Sequence, residues 1–103
     1  MKTYEINITD IAERDILEIA RYVMQESYNV DTALRLIDEI ETAISKLADM
    51  PHYALVLDER LRKLGYRKIN VKNYIVFFCI DEENLVVNIE RILYSRRDWT
   101  RIL

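Results

Sequence analysis

Hydrophobic and polar residues alternate from Tyr4 to Ile8, with Tyr4, Ile6 and Ile8 on one side and Glu5 and Asn7 on the other. That is the period of a strand with one covered face. The period then changes to that of a helix. Ala12, Ile16, Ile19, Ala20 and Val23 recur along one stripe, while Glu13, Arg14, Glu18 and Arg21 occupy the opposite side. Thr9 or Asp10 is the predicted cap, and Glu13, three residues after Asp10, completes the pattern of a capping box. After Ser27-Tyr28-Asn29 a second amphipathic helix is predicted from near Asp31, with Ala33, Ile37, Ile40, Ile44 and Leu47 on its apolar stripe, stopping before Met50-Pro51. Two such helices joined by a short connection form an antiparallel hairpin.

Residues 51–64 show no clear period and read as a loop crossing from the helices to a sheet. Tyr66 to Val71 reads as a short strand, and Lys72-Asn73 as a tight turn in which the asparagine takes positive φ. Tyr74 to Ile80 is an almost unbroken β-branched and aromatic run, so it is the expected central strand, covered on both faces. Asp81-Glu82-Glu83-Asn84 makes the next turn, Leu85 to Leu93 the last strand, and Arg96 to Leu103 a short helix or tail. The expected order is β-α-α-β-β-β within a single domain spanning residues 1–103. The expected class is α+β, a helical hairpin packed on one face of an antiparallel sheet.

With half its residues hydrophobic, a third charged, and one glycine and one proline, the chain has the profile of a folded domain rather than a linker or disordered tail. It shows no basic stretch followed by an apolar leader segment, and no apolar run approaches the ~18 residues of a membrane span. A cytoplasmic protein without membrane association is expected. The net charge of −3 conceals an asymmetry. Residues 1–60 carry six Lys/Arg against 13 Asp/Glu, whereas residues 61–103 carry nine against five. The two halves therefore present opposite fields, and a polyanion could meet only the C-terminal part.

Familiar catalytic signatures are missing: there is no glycine-rich phosphate loop, no HExxH and no Cys/His set at zinc spacing. No cofactor or metal is expected. The lone Cys79 lies within an apolar run and reads as a small buried hydrophobe, and the lone His52 as a surface loop residue or a titrating group beside a groove. The cations carry more information. Arg67 and Lys68 fall on the first strand of the C-terminal hairpin, Arg91 on the last strand, and Arg96-Arg97 directly after it. Alternation puts Arg67 with Ile69 and Val71, and Lys68 with Tyr66 and Asn70. It puts Arg91 with Val87, Ile89 and Leu93, and Tyr94 with Ile92 and Glu90. Arginine suits phosphate recognition because its planar fork grips two oxygens and stays ionised. If a nucleic acid is cleaved, the reaction is a metal-free attack of a ribose 2′-hydroxyl on the adjacent phosphate. Arg67 and Arg96 would then stabilise charge, Tyr94 would supply an acid or a stacking surface, and Asp58 or Glu59 a base. Lys68, Arg91, Arg97 and Trp99 are the candidate contacts to a target or nucleic acid, with pairing to a helix carboxylate the alternative for Arg91. Tyr66, Phe77 or Phe78, and Trp99 either finish the core or line a partner's groove.

Several motifs, in this order, resemble the RelE/ParE superfamily of toxins over essentially the whole chain. They are Tyr4-x-Ile6-x-Ile8-Thr9-x-x-Ala12, Leu47-x-x-Met50-Pro51, Gly65-x-Arg67-Lys68, Asn73-Tyr74-x-Val76-Phe77-Phe78 and Arg91-Ile92-Leu93-Tyr94-x-Arg96-Arg97-Asp98. The resemblance implies the toxin of a type II toxin–antitoxin module of the plasmid-stabilisation kind, held in a hetero-oligomer by its cognate antitoxin. It also implies one of two targets. RelE-like members cut mRNA on the ribosome, and ParE-like members poison DNA gyrase. The segment Tyr53-Ala54-Leu55-Val56-Leu57-Asp58-Glu59 has none of the lysines that RelE carries there, Tyr94 stands where many relatives have histidine, and Trp99 is the nearest aromatic to RelE's C-terminal tyrosine. These departures tilt the expectation toward gyrase inhibition. The alternatives are a ribosome-dependent mRNA endoribonuclease and an antitoxin-binding module without toxicity.

Overall fold

A computed structural model describes residues 3–53 and 58–103. The elements run β1 (Glu5–Ile8), α1 (Asp10–Ser27), α2 (Val30–Lys46), α3 (Glu59–Lys63), β2 (Tyr66–Val71), β3 (Tyr74–Asp81), β4 (Val86–Tyr94) and α4 (Trp99–Ile102). The strands form one sheet in the order β1-β4-β3-β2, in which β2, β3 and β4 are antiparallel as expected. β1 adds to the free edge of β4 in parallel, which the crossover through the hairpin allows.

Caps set the hairpin. Thr9, not Asp10, caps α1: its hydroxyl accepts from the Ala12 amide at 3.2 Å and donates to the Ile89 carbonyl at 2.9 Å, so the residue that starts the helix also ties it to β4. Tyr28 ends α1 in the left-handed conformation at φ 53°, and the Asn29 side chain accepts from the Asp31 and Thr32 amides to open α2. Between the hairpin and the sheet lies the main core, with Ala12, Ile19, Ile40 and Ile44 against Val76, Phe78, Val87 and Ile89. On the other sheet face a second core gathers Ile75, Phe77 and Leu93 beneath Trp99, Ile102 and Leu103, so the C-terminal segment closes the side that the hairpin leaves open. Both phenylalanines are fully buried and complete the core.

Three local expectations change. Asp58 caps a helical turn, α3, within what reads in sequence as a loop, with its carboxylate accepting from the Leu61 amide at 2.9 Å. Residues 54–57 of that segment lie outside the described residues. In the β2–β3 turn the positive φ falls on Lys72 at 55°, not on Asn73. The largest change is in β4. Phe77 pairs with Arg91 but Phe78 pairs with Ile89, so Glu90 is an extra residue in the ladder, a β-bulge. One inserted residue reverses the parity beyond it. Val87 and Ile89 therefore share the helix-covered face with Ile92 and Tyr94, while Arg91 and Leu93 fall on the other, opposite to the grouping that simple alternation gives.

Candidate functional site

β1 ends at Ile8, opposite Ile89, and beyond that point β4 has no strand on its outer side among the described residues. α1 passes there instead and offers Asp15, which is only 6% exposed. Its Oδ2 accepts from Arg91 Nε at 2.8 Å and from the Ile92 amide at 2.9 Å, and its Oδ1 accepts from Arg91 Nη2 at 3.0 Å. These bonds raise the Arg91 pKa above its ordinary value, and they commit this arginine to the helix carboxylate. The bulge is thereby clamped at the point where β4 turns toward its C-terminal rim.

That rim begins at Tyr94, opposite Tyr74 in the register and edge-on to it at 5.7 Å between ring centroids. The Ser95 amide donates to the Asn73 carbonyl at 2.8 Å and the Arg97 amide to the Tyr94 carbonyl at 3.0 Å, which folds the chain back and leaves Arg96 and Arg97 exposed. Tyr22 of α1 joins the two tyrosines. The three rings separate two open grooves of about 380 and 480 Å³ between the hairpin and the end of the sheet. Ile19, Leu93, Glu18 and Arg97 help to line the first groove, and Arg35, Thr32 and the Glu39–Lys72 pair (3.8 Å) the second. Tyr22 is 58% exposed and Tyr94 37%, whereas Tyr74 is buried, and burial followed by its two tyrosine neighbours pushes its pKa up.

The other sequence-derived candidates divide between two further places. Lys68, Phe77 and Arg91 form one cross-strand row on the second face, and Trp99 packs on Phe77 at 5.4 Å, so Lys68, Arg91 and Trp99 gather around one side chain. Arg67 lies on the helix-covered face opposite Phe78 and donates to the His52 carbonyl. Phe78 is four residues from Tyr74 along β3, about 13 Å at the rise of a strand. Tyr94 and Arg97 thus meet at one groove, Arg96 sits on the same turn, and Arg67 stands apart beside His52. The His52 imidazole bonds Glu82, whose second oxygen accepts from Tyr4 at 2.7 Å, and the two rings meet edge-on at 5.6 Å. Asp58 and Glu59 also have structural partners, the α3 cap and Lys63 at 3.2 Å. Burial pushes the half-buried Cys79 thiol up to about 11. No group of three or more His, Cys, Asp or Glu among the described residues is placed to hold a metal ion. No described helix is long and apolar enough to cross a membrane.

Sequence reasoning missed Asp15 and Tyr22. A signal existed for the first, since a carboxylate at position 15 interrupts the apolar stripe of Ala12, Ile16 and Ile19.

Residues 6–99 match the model of the ParE toxin of the type II toxin–antitoxin system parDE. The chain belongs to the ParE toxin family. Among solved structures, this ParE-family chain superposes on one from the chromosomal ParDE toxin–antitoxin system of P. aeruginosa with a TM-score of 0.74 at 14% identity, over 91% of this chain and 98% of that one. It superposes on a chain of the RelBE2 toxin–antitoxin complex from Mycobacterium tuberculosis with a TM-score of 0.62 at 21% identity, over 91% and 93%. For the free E. coli toxin RelE, a variant with two arginines replaced by alanine, the values are 0.65 and 11%, over 98% and 99%. No curated protein matches in sequence. The α+β expectation is borne out, and these likenesses establish the shared fold of the two toxin branches. The family match makes the chain a toxin of the ParE type, from the type II toxin–antitoxin systems.

Proposed function

We propose that this toxin arrests growth by binding an essential protein, DNA gyrase, through the corner formed by Tyr94, Arg96 and Arg97 with the adjoining groove. The observation that carries the reading is the separation of Arg67 from Tyr94. Cleavage of RNA by the candidate trio would need an acid or base and two phosphate-binding arginines around one scissile bond, within hydrogen-bond reach. Here Arg67 is about 13 Å along the sheet from the Tyr94 row, with its guanidinium on the His52 carbonyl. A protein-binding corner has no such requirement. Exposed tyrosines and arginines are the residue types that anchor protein interfaces. The family match over residues 6–99 supports the same branch.

The test is a supercoiling reaction with purified toxin and gyrase, beside a reconstituted translation reaction in which the length of a defined mRNA is followed with and without ribosomes. Loss of supercoiling with intact mRNA is expected. Ribosome-dependent shortening of the mRNA, with supercoiling unchanged, would replace this reading by the RelE-like one.

A further inference from the structure

Large apolar side chains stand exposed on the outer face of the helical hairpin, the face turned away from the sheet. They are Leu17 (57% exposed) and Met24 (41%) of α1, Tyr28 (94%) of the connection, and Val30 (55%) and Leu34 (61%) of α2. Spacings of seven and four residues keep each helix's pair on one stripe, beside the seam between the helices. Tyr28 adds to the cluster from a left-handed position, φ 53°, where glycine is the unstrained choice. Apolar residues scattered singly on a surface are ordinary, whereas a cluster marks a docking face.

The surrounding charges select the occupant. Arg14 and Arg21 flank the cluster on α1, and Asp31, Asp38 and Glu41 flank it on α2. All five are exposed, and none forms an ion pair among the described residues. The acidic half repels a phosphate backbone or an anionic lipid surface. The face is instead its own complement. A two-fold axis along the seam lays α1 of one copy antiparallel on α2 of the other, as in a helical bundle. Residues equally far from the turn share a height, so Met24 meets Leu34 of the other copy and Arg21 meets its Asp38, each contact occurring twice.

We infer that the toxin pairs with a second copy of its own chain through this outer hairpin face. The corner of Tyr94, Arg96 and Arg97 lies at the end of the sheet, so each copy keeps its corner uncovered. The inference does not depend on which target that corner binds.

The experiment is sedimentation equilibrium of the purified toxin, in which twice the 12.4 kDa of one chain is expected. Leu34→Glu, Arg21→Glu and Asp38→Arg should each weaken the pair by about tenfold or more, because each buries a charge or opposes like charges twice. Glu83→Lys, in the turn after β3, should leave it unchanged. The Arg21→Glu and Asp38→Arg chains, mixed, should pair again, since their mixed interface holds one reversed and one native ion pair. All four positions are exposed, and unchanged circular dichroism and melting confirm that each variant is folded. A single-chain mass up to about 0.1 mM overturns the inference and leaves the face to another protein. A pair indifferent to the three hairpin variants, or one that mixing does not restore, overturns this face and its two-fold geometry.

Discussion

Replacing the buried Asp15 by alanine should destabilise the protein by about 3 kcal/mol, more than the loss of an exposed carboxylate would. Three bonds end on this side chain, two from Arg91 and one from the Ile92 amide. Breaking a buried ion pair from one side typically costs about 3–5 kcal/mol. The Arg91 side chain retains 23% exposure, so water recovers part of its solvation and the low end of that range applies. The abandoned Ile92 amide adds about 1 kcal/mol, and the better helix propensity of alanine returns about half of that. At about 4–8 °C per kcal/mol for a domain of this size, the melting temperature should fall by about 12–24 °C. Asp15→Asn keeps an acceptor for the amide and should lose about half as much. Lys63→Ala, which removes the exposed pair with Glu59 at 3.2 Å, should stay within about 0.5 kcal/mol. Urea titrations followed by the fluorescence of the single tryptophan would measure all three. A cost below about 1 kcal/mol for Asp15→Ala would refute the argument that this carboxylate clamps the bulge.

Thr9→Ala removes the α1 cap and its bond to the Ile89 carbonyl together, and should cost about 1–2 kcal/mol in the same titration. The folded Cys79 thiol, raised to about 11, should resist iodoacetamide near pH 8.5, where the urea-unfolded chain is labelled rapidly. Because its folded pKa lies above its unfolded one, its contribution to stability is complete below about pH 9 and is lost as pH rises toward 11; Cys79→Ala should flatten that decline. In a growth assay, Arg96→Ala combined with Arg97→Ala should abolish toxicity while Arg67→Ala leaves it, and the opposite ranking would sink the proposed target corner.

The strands and the hairpin were legible because each carries one dominant period, and the motifs from Tyr4 to Asp98 carried the family. What escaped depends on contacts between distant residues. The bulge at Glu90 has no glycine or proline to mark it, and the carboxylate that stabilises it lies 75 residues upstream on α1. The five-residue helix α3 is too short for a period, and only Asp58 at its cap announces it. Arg67 and Arg96 look equivalent along the chain as cations beside strands. The pairing register separates them, because β2 and β4 flank β3 and place the two arginines at different heights along it.

One inserted residue therefore connects fold and site. Before Glu90, β4 sends Val87 and Ile89 into the main core; after it, Ile92 still faces that core while Leu93 reaches the second core under Trp99. Were Glu90 paired in a regular ladder instead of bulged out, Tyr94 would point to the second face, away from Tyr22 and Tyr74, and the three rings would not meet. The bulge needs an acceptor for the edge amide of Ile92, and β1 is too short to supply one. Asp15 meets that need from α1, the helix that also provides Tyr22 and Glu18. The same helix thus stabilises the irregular strand and forms the facing wall of the groove, so a partner that seats against α1 meets Tyr94 and Arg97 in a fixed relation to it.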